Sequence, residues 1–165
     1  DIPIIIYNIQ GRTGINLETA TLARLAKEHS NIVGVKEASG NISQMMDVIS
    51  TLPKDFIVLS GDDNLTLPLM ALGGKGVISV ASNIVPKEMH ELTEHALNRR
   101  FEEARKIHYK LLPLFKGIFI ETNPIPIKAC LAIKGMIKEV YRLPLCDMKP
   151  ENKNKLKQIL IDLGI

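Results

Sequence analysis

Apolar positions along the chain fall into two regimes. In the first half, four short runs rich in β-branched residues (4–7, 32–36, 56–60 and 77–80) are almost continuously hydrophobic instead of alternating. That pattern predicts parallel strands covered on both faces. Helical spacing fills the gaps. Residues 18–29 carry Leu22, Leu25 and Ala26 on one face, and residues 43–52 carry Met45, Met46, Val48 and Ile49. Residues 65–72 form a short apolar stretch that stops at Gly73, a common helix terminator. Strand and helix therefore alternate as βαβ units with right-handed crossovers.

After the fourth run the period becomes purely helical. Pro86 opens a segment reaching about Leu97, and 101–115 places Ala104, Ile107, Leu111 and Leu114 on one face. Helical segments at 125–133 and 151–163 follow. Four parallel strands fit a small doubly wound sheet or half of a (β/α)₈ barrel, whose full form takes roughly 250 residues. Both put chemistry at the C-terminal ends of the strands.

Composition narrows the classes. The 165 residues are 45% hydrophobic, enough for a real core, and the formal charge is only +3. The Lys-rich end, 149–157, also holds Glu151 and two Asn and reads as a solvated helix face. Neither nucleic acid nor an anionic membrane is expected as a partner. Cys130 and Cys146 are scattered and lack a CxxC partner, which predicts free thiols in a reducing compartment and no thiolate metal site. No apolar run reaches the roughly 18 residues of a membrane span, and 1–7 lacks the basic region of a signal peptide. A soluble, cytoplasmic protein is expected. The abrupt start, Asp1-Ile2-Pro3 leading into an apolar run, suggests a segment of a longer protein.

The strand ends carry the candidate chemistry. Lys36 closes the second run on the same side as Gly34 and Ile32. If that side is an interior, the amine is desolvated and can attack a carbonyl; otherwise the lysine snorkels to solvent. Tyr7 ends the first run, as a proton relay or as a rim tyrosine with its hydroxyl in water. Arg12, in a loop flanked by Gly11 and Gly14, could grip a carboxylate with two parallel hydrogen bonds, or be a plain surface arginine. Asp62 and Asp63 are adjacent, make a poor chelate, and read as a helix cap. Gly73-Gly74-Lys75-Gly76 lacks the GK[ST] ending of a phosphate loop and precedes a strand, so it reads as a turn at the far end. The four histidines show no ligand spacing and read as helix surface.

Together these segments closely resemble the dihydrodipicolinate synthase family: Tyr7-Asn8-Ile9-Gln10-Gly11-Arg12-Thr13-Gly14, Val33-Gly34-Val35-Lys36-Glu37-Ala38-Ser39-Gly40, Leu59-Ser60-Gly61-Asp62-Asp63, Gly74-Lys75-Gly76-Val77-Ile78-Ser79-Val80 and Glu121-Thr122-Asn123-Pro124-Ile125-Pro126-Ile127-Lys128. The resemblance implies an α/β fold: residues 1–97 as the second half of a (β/α)₈ TIM barrel, and 98–165 as a C-terminal helical domain. It implies a Schiff-base lyase that condenses pyruvate with L-aspartate 4-semialdehyde to 4-hydroxy-tetrahydrodipicolinate on the diaminopimelate route to lysine, commonly as a homotetramer. It assigns the imine to Lys36, the proton relay to Tyr7, the acceptor carboxylate to Arg12, and site-lining backbone carbonyls to Gly61 and Ile78, with no cofactor and no metal. Gln10-Gly11 stands where the family usually has Pro-Ser, which predicts a shifted loop with the chemistry intact. The family's Thr-Thr loop and second tyrosine belong to the barrel's other half. Sister aldolases for N-acetylneuraminate or 2-keto-3-deoxy sugar acids share the lysine and tyrosine; Arg12 favours a small acidic acceptor. A non-catalytic half-barrel has no use for a buried lysine, which costs stability. Four strands cannot close such a barrel and leave apolar edges open. Residues 1–165 alone are therefore expected not to fold independently, and a cooperative, monomeric thermal transition of that segment would contradict this.

Overall fold

The computed structural model describes residues 2–165, so the start at Asp1 lies outside it. Four strands, β1 (Ile4–Asn8), β2 (Ile32–Glu37), β3 (Ile57–Ser60) and β4 (Gly76–Val77), form one parallel sheet in the order β1-β2-β3-β4. Helices α1 (Gln10–Thr13), α2 (Thr19–Glu28), α3 (Ile42–Thr51) and α4 (Thr66–Leu72) lie between them in sequence. Then come α5 (Pro86–Leu97), α6 (Phe101–Gly117), α7 (Ile125–Ile133) and α8 (Pro150–Asp162). This α/β architecture, four parallel strands with helices and then helices alone, is the one the hydrophobic pattern predicts. The described residues divide into two compact units. One runs through Ser79 and takes up Thr93–Phe101; the other holds Val80–Leu92 and Glu102–Ile165.

In the first unit, alternation decides which side of the sheet is sealed. Val35 and Val58 face α2, α3 and α4, and pack with Leu22, Met45, Val48, Leu52, Phe56 and Leu69 into one buried cluster. α2 packs on α3 and α3 on α4, so all three crossover helices cover the same face. The opposite face has Ile5, Tyr7, Gly34, Lys36, Ile57 and Leu59 at paired register positions, with Ile5 and Tyr7 exposed. Coverage on both faces, expected from the continuous apolar runs, is therefore met among the described residues of this unit on one face only. A strand order without reversal and helices on one side also rule out the doubly wound alternative, which needs helices on both sides.

Local chemistry sets the boundaries. Asn41 caps α3 by accepting from the N–H groups of Ser43 and Gln44. The expected strand at 77–80 shrinks to Gly76–Val77, because Val80 is already helical and leads into a 3₁₀ turn at Ala81–Asn83. Gly73–Lys75 is a turn entering β4, at the end of the sheet away from the candidate residues, as read from sequence; the Lys75 N–H donates to Val58 O. Met45 is core, but Met46 is exposed: both fit an apolar stripe, and only one points at the sheet.

The second unit is helical. Leu111, Leu114, Phe115, Ile118, Ala129, Cys130, Leu156 and Leu160 are buried. Gly117 lets α8 come close, since a Cβ there would lie 2.8 Å from Ile159 Cδ1. The Cys130 and Cys146 thiols are free, and burial pushes Cys130 up to about 12. His29 and His90 are exposed as expected, but His108 is buried against Phe115 and the edge of Tyr109. Its Nδ1 finds no partner, and desolvation lowers its pKa. No helix of the described residues is long and apolar enough to cross a membrane.

Gly34 tests how tightly β2 and β3 are fitted. A Cβ there would stand 2.6 Å from Ile57 O and 2.9 Å from Ile57 Cβ. Gly34→Ala is expected to cost about 1–3 kcal/mol of unfolding free energy. Gly11, whose φ is not positive, has nothing within 4 Å of an added Cβ, so Gly11→Ala should be neutral or stabilising by about 0.4–1 kcal/mol. Urea titration of the two variants checks both values.

Candidate active site

The rim of the sheet is built by a staircase of backbone hydrogen bonds. The N–H of Ala38 donates to Asn8 O at 2.9 Å, that of Gly61 to Glu37 O at 2.7 Å, and that of Ile78 to Ser60 O at 2.9 Å. Each bond ties the residues just past one strand to the last residue of the strand before. The result aligns Tyr7, Lys36, Gly61 and Ile78 along one edge, at the C-terminal ends of β1, β2, β3 and β4.

Lys36 pairs in register with Tyr7. Its neighbours Val35 and Glu37 are committed to the helix side, so its side chain goes to the face the helices leave open. There its Nζ lies 3.8 Å from the centroid of the Tyr7 ring, a cation–π contact. Lys36 is half-buried, and no carboxylate lies within ion-pair distance of it among the described residues. A lysine held in place but not ion-paired is suited to attack an electrophilic carbonyl once it loses its proton. The contact is with the Tyr7 ring, and the phenol hydroxyl that the ring carries is a group able to pass protons.

Arg12 follows β1 on the same rim. It stands in the short helical turn α1, not in an open loop, and the turn ends at Gly14 with φ 77°, a conformation that favours glycine. Arg12 is exposed. Gly61 is shaped by close approach: a Cβ there would lie 2.4 Å from Ala38 Cβ. Ile78 is exposed on the same edge. Two acidic residues take parts that the sequence did not reveal. Asp62 precedes the 3₁₀ turn Asp63–Leu65 without a side-chain cap bond, and the N-cap of α4 is Leu65. Asp63 is fully buried and accepts a 2.5 Å hydrogen bond from Ser79 Oγ, which links the rim after β3 to the rim after β4. Burial raises the Asp62 carboxyl above its usual range; Asp63 and Glu37 push the same way and Lys36 opposes them. Asp62 therefore shares the electrostatic field of Lys36. Its signal in the sequence was its place just after the third strand, which was read as a helix cap; the structure shows no side-chain cap bond there.

No group of three or more His, Cys, Asp or Glu among the described residues could hold a metal ion. The model of the dihydrodipicolinate synthetase family matches residues 1–163. The 4-hydroxy-tetrahydrodipicolinate synthase of Hydrogenobaculum sp. (strain Y04AAS1) is 54% identical over 160 residues, covering 97% of this chain and 55% of its own length. The crystal structure of dihydrodipicolinate synthase from Aquifex aeolicus superposes with a TM-score of 0.97 at 51% identity, over 99% of this chain and 56% of that one. The chloride-inhibited dihydrodipicolinate synthase from Acinetobacter baumannii complexed with pyruvate gives a TM-score of 0.96 at 39% identity, over 100% and 56%. The chain thus spans little more than half the length of the relatives it matches.

The state of Asp62 predicts a pH effect. With its pKa raised from 3.8 in the folded protein, the folded state holds this proton more tightly than the unfolded chain. The stability it contributes is present below 3.8 and lost as pH rises through the shifted value. Asp62→Asn is neutral at every pH. Relative to wild type it should therefore gain stability as pH climbs through that window, measured as the difference in urea midpoints.

Proposed function

Because the chain belongs to the dihydrodipicolinate synthetase family, we propose that it carries the imine-forming side of a 4-hydroxy-tetrahydrodipicolinate synthase. The observation that carries this reading is the Lys36–Tyr7 pair: an amine 3.8 Å above a phenol ring, on the rim of a parallel sheet, facing away from the packed helices. In this reading the Lys36 lone pair attacks the keto carbon of pyruvate. Tyr7 relays a proton to the departing hydroxyl, water leaves, and a protonated imine remains. The protonated imine acidifies the adjacent methyl group, Tyr7 passes its proton away, and the resulting enamine carbon adds to the aldehyde of L-aspartate 4-semialdehyde, whose oxygen takes up a proton. Arg12 would receive the carboxylate of that acceptor in a bidentate grip, and the backbone carbonyls at Gly61 and Ile78 would line the floor. The covalent bond to Lys36 supplies the electron sink, so the reaction calls for no metal and no separate cofactor.

The same reading makes residues 1–97 the second half of a (β/α)₈ barrel and 98–165 its helical domain. Three observations support it: the unreversed strand order, helices on one face only, and a bare opposite face with Ile5, Tyr7 and Ile78 exposed. A barrel interior covers such a face, and the remaining strands would bring the rest of the site. Assembly as a homo-oligomer, a cytoplasmic setting, and the absence of nucleic-acid or membrane partners belong to this proposal.

Incubating the full-length protein with pyruvate and borohydride should fix a pyruvate-derived mass on the peptide containing Lys36. Lys36→Ala should abolish both the adduct and turnover, and Arg12→Ala should cost about tenfold or more with aspartate semialdehyde. No adduct on that peptide would defeat the imine mechanism. Better turnover with sugar acids would favour the sister aldolases.

A further inference from the structure

A buried carboxylate lies directly behind the nucleophile. Glu37 is 1% exposed and points to the helix side of β2, the side opposite Lys36. Among the described residues it has no cationic partner; neutral donors satisfy it. Oε1 accepts from the Ser39 N–H at 2.7 Å and Oε2 from Gln44 Nε2 at 3.3 Å, while Asn8 Nδ2 donates to both oxygens at 3.3 and 3.1 Å. Asn8 is 3% exposed and faces Glu37 across the ladder, one step after the Tyr7–Lys36 pair. Its Oδ1 takes the Leu17 N–H at 2.9 Å, and its Nδ2 also reaches Asn16 Oδ1 at 3.0 Å. Gln44 is bonded in turn to Asn16 and to Leu17 O.

A buried charge without a counter-ion costs stability, even when hydrogen-bonded. Its location shows what it does. The network ties the ends of β1 and β2 to each other, to α3 and to the segment after Arg12, at the two residues that follow Tyr7 and Lys36. The Glu37 carbonyl meanwhile receives the Gly61 N–H. Facing away from the open rim, the carboxylate cannot touch a substrate held by Lys36.

We propose that Glu37 is a positioning residue for the imine chemistry. Through Asn8 it fixes the relative register and tilt of the Lys36 and Tyr7 side chains from behind the sheet. The inference rests on reading Lys36 as the imine lysine. A misplacement of the order of 1 Å between reacting groups can cost about a hundredfold in rate, so a rigid support here has a kinetic effect that its stability cost does not reveal.

The test uses the full-length protein and the variants Glu37→Gln, Glu37→Ala, Asn8→Ala and the Glu37→Ala/Asn8→Ala double. Four quantities are read: kcat, KM for pyruvate, the rate of borohydride-trapped imine on Lys36, and Tm. Glu37→Ala and Asn8→Ala are each expected to lower kcat and the trapping rate about ten- to a hundredfold, with KM for pyruvate within about threefold. The double variant should be little worse than either single, because both remove the same link. Glu37→Gln keeps an acceptor for Ser39 and Asn8 and should recover a substantial part of the rate. Unchanged kcat in the singles, losses that multiply in the double, or equal losses in the Gln and Ala variants overturn the proposal. If Glu37→Ala does not accumulate as folded protein, Asn8→Ala and Glu37→Gln decide it on the same criteria. Wild type that traps pyruvate beside variants that trap it equally well overturns this inference alone; wild type that traps none overturns the imine reading and this inference with it.

Discussion

The arrangement depends on one constraint, the period of two along β2. Val35 and Glu37 are fixed on the helix side, Val35 by the packed cluster around Met45 and Val48, Glu37 by its bonds to Asn8 and Gln44. Lys36 has only the other side left. Turning the strand over would take Val35 out of the core, at about 1.5–3 kcal/mol, and push an ammonium into it. Core packing therefore aims the lysine, and it does so without any contact to the lysine itself. The same alternation along β1 turns Tyr7 to that face while Ile6 and Asn8 go inward.

The two sides of the sheet differ in what holds them. On the helix side the buried cluster around Val35, Met45 and Val58 fixes the strands. On the other side Lys36 stands over the Tyr7 ring, and among the described residues no carboxylate pairs its charge. The staircase of bonds from Asn8 O to Ala38, Glu37 O to Gly61 and Ser60 O to Ile78 carries this order from strand to strand. Residues from four separate stretches of sequence thereby share one edge.

What could be read in the sequence follows from how local each signal is. Helices α2 to α8 and the first three strands announce themselves through spacing within a dozen residues, and their observed limits differ from the expected ones by at most two residues; the short turn α1, read as a loop, carries no such spacing. The fourth strand was overextended because Val77 to Val80 is β-branched and apolar except for Ser79, while the backbone turns helical at Val80 to enter the 3₁₀ turn. Met46 and His108 were misassigned for a similar reason: an apolar or polar residue beside a helical stripe can face either way, and only the neighbour across the interface decides. Lys36, Tyr7 and Arg12 stood out because parallel sheets place chemistry at the strand ends; Gly61 and Ile78 came only from the family resemblance, since no side-chain chemistry marks a backbone carbonyl. The network of Asn8, Glu37, Gln44 and Asn16 left no trace, since Asn8 and Glu37 are 29 positions apart, Asn16 and Gln44 28, and Glu37 and Gln44 7, and no local pattern marks a buried carboxylate.

The core also changes character along the strands. Near the start of the sheet its helix-facing positions are apolar: Ile6, Val35 and Val58. One step nearer the rim they become Asn8, Glu37 and Ser60, with Asp63 and Thr66 just beyond, all buried. Each of these polar groups is satisfied: Asn8 by Glu37, Asn16 and the Leu17 N–H, Glu37 by Asn8 and Gln44, Ser60 and Thr66 by donating to Asp62 O, Asp63 by Ser79. Apolar side chains of the same volume would bury more hydrophobic surface but would fix direction less sharply, because dispersion contacts tolerate small rotations and hydrogen bonds do not. A layer that exists only to stabilise would be apolar throughout. Directional bonds fix position more sharply, and the polar positions cluster beneath the Lys36–Tyr7 pair, at the end of the sheet where those two side chains stand.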